Sequence, residues 1–331
     1  MDWLAIMHNS LRSAFGPDAV VYAMAAIGLN VHFGYTGLLN FGQAGFMLVA
    51  SYGLAASVTT WGLPFWLGLI IGLLASVVLA LLLGIPTLRL RADYLAIVTI
   101  AAAEILRILV GSVTLHDQFG GRDGLQQFMG SFFSLNPYHS TINLGLFSLR
   151  PTDAWTVTVG WILVALACVM VWLLMRSPWG RVLKSIREDE DAVRSLGKNV
   201  YAYKMQSLIL GGLFGALAGF LLCARQAAIN PDNFATDTTF FAYTVLLIGG
   251  AARVLGPVVG AIIFWFLISF ATNFFTQATA GNGPLIPSWV MTSIQAGVMQ
   301  FILVGAALML LMVYRPQGIF GDRKELALDE R

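Results

Sequence analysis

Two oppositely charged residues, three positions apart, lie within a long apolar stretch of the chain. Residues 94–110 read YLAIVTIAAAEILRILV and contain Glu104 and Arg107. Residues at this spacing share one face of an α-helix, so the two side chains can pair. Ionisable groups inside a membrane are costly and usually face a bundle interior or an aqueous path. We therefore predict that the pair gates a translocation path or clamps the helix. A snorkelling pair without a further role and a proton carrier at Glu104 are the alternatives.

Amide side chains flank a glycine-rich break between two apolar runs. Asn30 precedes the stretch 34–45, GYTGLLNFGQAG, and Asn40 and Gln43 lie among its glycines. Irregular backbone at membrane depth is tolerated only where protein or a water-filled cavity covers it, so we predict a broken helix here that lines a path. An amide offers donors and an acceptor, so Asn40 and Gln43 can hold the broken helix together or bind a zwitterionic solute. We favour the structural role.

The sequence contains no recognisable catalytic constellation. Its four histidines, His8, His32, His116 and His139, are scattered without the spacing of metal ligands and are expected in loops or at the membrane interface. No GxxxxGK[ST] motif is present, so the chain has no P-loop. If transport uses ATP, another subunit must hydrolyse it.

The amino-acid composition indicates which kind of secondary structure must hold these residues in place. Hydrophobic residues make up 58% of the 331 residues and charged residues only 11%, against about 25% charged in ordinary soluble domains. This predicts an all-α, polytopic membrane bundle of about nine spans, with one or two broken or re-entrant helices. The predicted spans are 18–33, 41–60, 62–86, 93–113, 154–175, 205–224, 240–252, 256–276 and 289–313.

The polar segments mark the ends of the transmembrane domain, and their charges indicate its orientation in the membrane. Residues 1–17 form an N-terminal segment that can be an interfacial helix, 18–313 the transmembrane domain, and 314–331 a tail. Fourteen of the 19 lysines and arginines fall on one side of the predicted spans, which marks the cytoplasmic face. The tail and loop 176–204 are then cytoplasmic, and loop 114–153 is external.

Glycines recur at every fourth position of the apolar run 205–224, at Gly211, Gly215 and Gly219. This spacing lets neighbouring helices approach closely. We predict that these three glycines serve helix packing.

Segment 176–204 carries seven basic and four acidic residues. Ser177 and Pro178 are typical of a helix start, and Gly197 is typical of a helix end. Apolar residues between them recur near helical spacing, which predicts an amphipathic helix or helix pair. The residues alone leave two interpretations open, a solvated connector or a docking element whose apolar residues enter a partner's groove.

The run REDEDAVRSLGKN at 187–199 resembles the coupling loop of ABC-type branched-chain amino-acid permeases. Glu190, Ala192 and Gly197 occupy the positions of its Glu-x-Ala-x4-Gly core. Further motifs follow in the order of the family's M-type permease: GLLNFGQAG at 37–45, LRADYLAIVTI at 90–100, LIGG at 247–250 with GPVVG at 256–260, and YRPQGIF at 314–320.

The resemblance implies the permease subunit of an ATP-driven importer for branched-chain amino acids, in the bacterial cytoplasmic membrane. It implies a second, homologous permease in a heterodimer, two ATP-binding subunits and an external binding protein. ATP and Mg would be bound by partner subunits, and no cofactor or metal by this chain. Among ATP-driven importers, the alternative is one for urea or short-chain amides. Outside that class, the alternatives are a proton-coupled transporter that uses Glu104 and, more distantly, an intramembrane enzyme. The residues implied to couple to the ATPase are Arg187, Glu188, Asp189, Glu190, Ala192, Ser195, Leu196 and Gly197.

Overall fold

The structure is a computed structural model that describes residues 2–88, 92–143, 148–279, 292–315 and 318–321. These residues are mostly helical, and the sheet among them is limited to two pairs of two-residue strands. The all-α prediction is confirmed.

Fourteen α-helices follow one another along the described residues. They are α1 (Trp3–Phe15), α2 (Pro17–Leu29), α3 (Gln43–Thr59), α4 (Phe65–Thr87), α5 (Ala92–Val110), α6 (His116–Phe119), α7 (Gly130–Phe133), α8 (Pro151–Arg176), α9 (Pro178–Glu188), α10 (Glu190–Ser195), α11 (Val200–Gln226), α12 (Thr236–Gly249), α13 (Gly256–Thr279) and α14 (Ser293–Tyr314).

Short irregular helices and strands connect them. A π-helix covers Asn30–Tyr35, and 3-10 helices cover Val113–Leu115 and Pro231–Phe234. Two antiparallel strand pairs join β1 (Leu125–Gln126) to β4 (Ala228–Ile229), and β2 (Ile142–Asn143) to β3 (Ser148–Leu149). The first pair ties the loop after α6 to the end of α11.

Fewer helices than predicted have the length and apolarity to cross a membrane. Five qualify in the described residues, and a sixth is counted if Tyr94–Val110 and Val113–Phe119, which meet at 62°, form one broken span. The count of about nine is not confirmed. The spans predicted at 41–60 and 240–252 form helices of only 17 and 14 residues, and crossing a bilayer takes about 20. The five are Trp3–Tyr35, Phe65–Thr87, Pro151–Arg176, Val200–Gln226 and Gly256–Thr279.

Some predicted segments extend beyond the described residues. The last predicted span, 289–313, does so at its start, and α14 covers the rest of it from Ser293. Arg89 and Arg91, which contributed to the orientation, also lie outside the described residues, as does most of the tail from 322 onward. Within the described part of the tail, the amides of Ile319 and Phe320 donate hydrogen bonds to the last carbonyls of α12.

Helix α2 lies at the centre of the bundle. It packs against α8, α11, α12 and α13, and ten of its 13 residues are buried. A helix buried on nearly all sides is apolar all round rather than amphipathic, which explains why the residues of α2 from Ala19 onward are almost all apolar. Helix α1 packs along α13, where the Asn9 amide donates a 3.1 Å hydrogen bond to Asn273.

Candidate translocation path and coupling segment

The helical backbone is broken between α2 and α3. The π-helix Asn30–Tyr35 follows α2, and residues 37–42 have no regular secondary structure before α3 begins at Gln43. Gly37 has φ +73°, a left-handed conformation that glycine adopts at little cost. The break therefore lies within the stretch where the glycines predicted it.

Asn40 and Gln43 lie at this break and are fully buried. The amide nitrogen of Asn40 lies 3.0 Å from His32 Nδ1 and 3.4 Å from Gln43 Oε1, and its oxygen accepts a 2.9 Å hydrogen bond from the Gly42 amide. The Gln43 nitrogen donates to backbone carbonyls of α2 and α11 at 3.4 and 3.2 Å. Because the donors and acceptors of both amides have protein partners, the geometry favours the structural role over direct solute binding.

His32 is a member of this network that sequence reasoning assigned wrongly. Expected in a loop or at the interface, it is completely buried. Its Nε2 lies 3.1 Å from the Leu208 carbonyl and so carries the hydrogen, while Nδ1 accepts from Asn40. The sequence did offer one indication that His32 is buried, because the residue lies in an apolar run, two residues after Asn30 and just before the glycine-rich break.

Three other parts of the bundle are bonded to the break. The amide of Asn30 donates to the Arg253 carbonyl and its oxygen accepts from the Ala252 amide, both at 2.8 Å, in the connection between α12 and α13. The Tyr243 hydroxyl of α12 donates to the Asn40 carbonyl at 2.9 Å. Thr99 of α5 accepts a 3.0 Å hydrogen bond from the amide of residue 41. A rearrangement of the break must therefore change its contacts with α5, with α12 and with the connection between α12 and α13.

Gly211, Gly215 and Gly219 line the face of α11 that meets this region. A Cβ added at Gly215 would lie 2.7 Å from the Gln43 side-chain nitrogen, and one at Gly219 would lie 2.8 Å from Ser51 Oγ. Such distances are too short for non-bonded carbon contacts, which are optimal near 3.5–4.0 Å. The geometry fits the packing role predicted for all three glycines.

Arg107 joins Glu104 to a second acidic residue, which sequence reasoning missed. Its Nε and Nη2 lie 3.0 and 2.6 Å from the two oxygens of Glu104, and its Nη1 lies 2.9 Å from Asp232 Oδ1. Asp232 belongs to the 3-10 helix after β4. Arg107 is three residues from the end of α5 at Val110, about 4.5 Å along the axis. The cluster thus lies near one end of the span and links α5 to the segment after α11, as a clamp would.

Removing Arg107 is expected to destabilise the protein more than removing Glu104. In Glu104→Gln, Arg107 keeps Asp232, whereas Arg107→Gln leaves two carboxylates without their shared partner. The Glu104 and Arg107 side chains are 38% and 24% exposed, and pairs in contact with solvent are worth less than about 1 kcal/mol. We expect Glu104→Gln to stay within that limit and Arg107→Gln to exceed it, in thermal unfolding of the detergent-solubilised protein.

Arg122→Gln, at an exposed position of loop 114–153, is the matched control and should leave the unfolding midpoint unchanged. Equal losses of stability in the Glu104 and Arg107 variants would contradict the clamp. Loss of transport in Glu104→Gln without a loss of stability would instead place the carboxylate directly on the path.

Helices α9 and α10 form the core of segment 176–204, the candidate coupling segment. The Asp189 carboxylate caps α10 by accepting hydrogen bonds of 2.9 and 3.0 Å from amides of its first turn. Glu190 is bonded to Arg194 at 2.9 Å and to Lys204 of α11. These two acidic residues therefore hold the segment's own structure.

The apolar face of the segment packs into the bundle. Leu183, Ile186 and Val193 are buried and belong to the main hydrophobic core. The indole nitrogen of Trp179 donates a 2.7 Å hydrogen bond to Gln206 of α11. The segment is thus anchored on the helices, which argues against a free, solvated connector.

The remaining residues of the predicted coupling set divide into two groups. Arg187 is an exposed residue whose guanidinium nonetheless contacts the bundle, where its Nη1 donates a 2.6 Å hydrogen bond to the Gly34 carbonyl in the π-helix. Leu196 is 81% exposed, an unusual state for leucine. Gly197 has φ +76°, and no described atom lies within 4 Å of a Cβ added there. The members that point outward are Glu188, Ala192, Ser195, Leu196 and Gly197, and their neighbour Asp191, outside the predicted set, is exposed beside them.

Comparison with known proteins matches most of the chain to one family. Residues 17–314 match the family described as "Branched-chain amino acid transport system / permease component". The chain is 30% identical over 311 residues to the high-affinity branched-chain amino acid transport system permease protein LivM of Salmonella typhimurium, a match that covers 91% of this chain and 68% of that relative. LivM of Escherichia coli is 30% identical over 312 residues with the same coverage. A probable LivM of Methanocaldococcus jannaschii is 24% identical over 343 residues, covering 92% of this chain and 91% of that one.

Proposed function

Because this chain belongs to the permease family of branched-chain amino-acid transport systems, we propose that it forms part of the path by which an ATP-driven importer moves branched-chain amino acids across the inner membrane. It is a multi-pass membrane protein and a transport subunit rather than an enzyme. The observation that carries the proposal is the family match over residues 17–314, which includes the break, the Arg107 cluster and the coupling segment. Relatives named for branched-chain amino acids also favour this solute over urea or short-chain amides.

The partners follow from the same family. We propose a complex with a second, homologous permease, two ATP-binding subunits that hold ATP and Mg, and an external substrate-binding protein. The excess of lysine and arginine in segment 176–204 and in the tail supports a cytoplasmic position for both. The ATP-binding subunits would then dock on the outward residues of the coupling segment, with Leu196 as the apolar anchor.

Within the path, the break between α2 and α3 is the proposed moving part. Asn40 and Gln43 hold it in the present conformation through bonds to α2, α11 and their own backbone. Arg107 fixes α5 against the segment after α11. These roles make the amides structural elements of the path rather than ligands of the solute.

Uptake by the reconstituted complex tests the function. Proteoliposomes that contain both permeases and the ATP-binding subunits should accumulate radiolabelled leucine only when ATP is inside and the binding protein is outside. Uptake should survive a protonophore at constant ATP, because no proton gradient drives it. Loss of uptake on adding the protonophore would favour a proton-coupled transporter with Glu104 as carrier. Uptake of urea in preference to leucine would contradict the proposed solute.

A further inference from the structure

Arg187 makes a direct contact between the coupling segment and the break in the membrane domain. It lies in the last turn of α9 and precedes the outward residues found between 188 and 197. Its guanidinium donates to the carbonyl of Gly34, 153 positions earlier in the chain, at 2.6 Å. A charge-assisted hydrogen bond of this length is among the stronger kinds in proteins.

The acceptor is a backbone carbonyl of the π-helix that leads into the break. The last carbonyls of a helix have no donors within the helix, and Gly34 stands near the end of the π-helix at Tyr35. The guanidinium therefore completes the hydrogen bonding at the point where the regular backbone ends. A shift of α9 must move this carbonyl or break its bond.

Other atoms of α9 also lie close to the backbone of the break, beside this hydrogen bond. A Cβ added at Gly37, the first residue of the irregular stretch, would lie 3.3 Å from Arg187 Cγ. The Lys184 ammonium, one turn earlier on α9, lies 5.9 Å from the centre of the Tyr35 ring, within the range of a cation–π contact. Residues of α9 thus touch the π-helix and the start of the irregular stretch, but Arg187 supplies the directed bond.

We infer that Arg187 is a positioning residue that transmits movement of the ATPase-docking surface to the break between α2 and α3, and that it does not itself bind the ATPase. This inference rests on the proposed function, because it takes docking at residues 188–197 as its input. It separates two roles within the predicted coupling set: a group of exposed residues that receives the ATPase, and an arginine bonded to Gly34 that passes the displacement on.

The test uses the whole complex in nanodiscs and in proteoliposomes. Arg187→Gln removes the charged donor, and Arg187→Lys keeps a charge that can still reach a carbonyl. Arg181→Gln, at an exposed position on the same helix, is the matched control. As a conformational probe, Phe41→Cys is placed in the break of a protein whose buried Cys168 and Cys223 are changed to alanine. The reaction of the introduced thiol with a maleimide is measured without nucleotide and after trapping with ATP and vanadate.

We expect Arg187→Gln to retain its ATP-binding subunits on purification, while leucine taken up per ATP hydrolysed falls about tenfold, the scale of one lost hydrogen bond to a charged group. The nucleotide-dependent change in labelling at position 41 should disappear, with the rate in the absence of nucleotide unchanged. Arg187→Lys should recover part of both signals, and Arg181→Gln should match wild type.

Two results would overturn the inference. If the ATP-binding subunits dissociate from Arg187→Gln, the arginine belongs to the docking surface. If coupling and the labelling change persist in Arg187→Gln, the bond to Gly34 transmits nothing. Uptake by the wild-type complex without ATP would instead contradict the proposed function. This uptake is measured separately, on the wild-type protein.

Discussion

Gly219→Val is expected to prevent the protein from accumulating as a folded membrane protein. The position meets mainly backbone, since an added Cβ would lie closest to the Met47 carbonyl oxygen and 3.0 Å from the Met47 carbonyl carbon, with Ser51 Oγ also 2.8 Å away. Helices α3 and α11 would have to move apart, which would also disturb Gln43 and its bond to α11. Overpacking typically costs about 1–3 kcal/mol, and we expect this variant to reach or exceed the upper end. Yield and elution profile of a fluorescent fusion after detergent extraction measure the effect.

The same glycine-to-valine change in α14 provides the control. At Gly305 no described atom lies within 4 Å of an added Cβ, so Gly305→Val should behave like the parent protein. A folded Gly219→Val with a normal elution profile would show that α3 and α11 are less tightly packed than the structure has them.

Leu196→Asp is expected to release the ATP-binding subunits, and with them uptake, while leaving the permease folded. The side chain is 81% exposed and contributes little to the bundle. In the proposed complex it enters an apolar groove, where a carboxylate would be desolvated without a partner. Loss of a central anchor costs about 2 kcal/mol or more, which weakens binding about thirtyfold. Co-purification of the ATP-binding subunits and uptake should fall together.

Leu135→Asp is the matched control, because Leu135 is 55% exposed in the loop predicted to be external. It should leave ATPase association unchanged. If Leu196→Asp also retains its ATP-binding subunits and full uptake, the coupling segment does not dock them through Leu196, and the proposed docking surface is wrong.

Local sequence signals predicted the features that depend on local backbone chemistry. The glycines of residues 34–45 located the break because Gly37 adopts a left-handed conformation there. Ser177 and Pro178 located the start of α9, and the spacing of apolar residues identified the face that packs into the core. Gly211, Gly215 and Gly219 predicted a close helix approach because four-residue spacing places them on one face.

Features that depend on distant contacts were not visible in the sequence. Asp232 is 125 positions from Arg107, and only the tertiary fold brings them together. His32 seemed an isolated polar residue because its partners on α11 and in the break lie on other elements. The count of about nine spans is not confirmed, because apolar runs do not reveal the length of the helices they form, and α3 and α12 have only 17 and 14 residues.

The irregular residues 37–42 differ from an ordinary loop in their amide protection. The amides of Gly37, Leu38, Phe41 and Gly42 all have acceptors between 2.9 and 3.2 Å. Hydrogens on such amides exchange with solvent only when their bonds open, and groups that share bonds tend to open as one cooperative unit. The segment therefore belongs thermodynamically with the helices that surround it. The proposed movement of this segment during transport must then break these bonds and so cross a barrier, rather than bend a soft hinge.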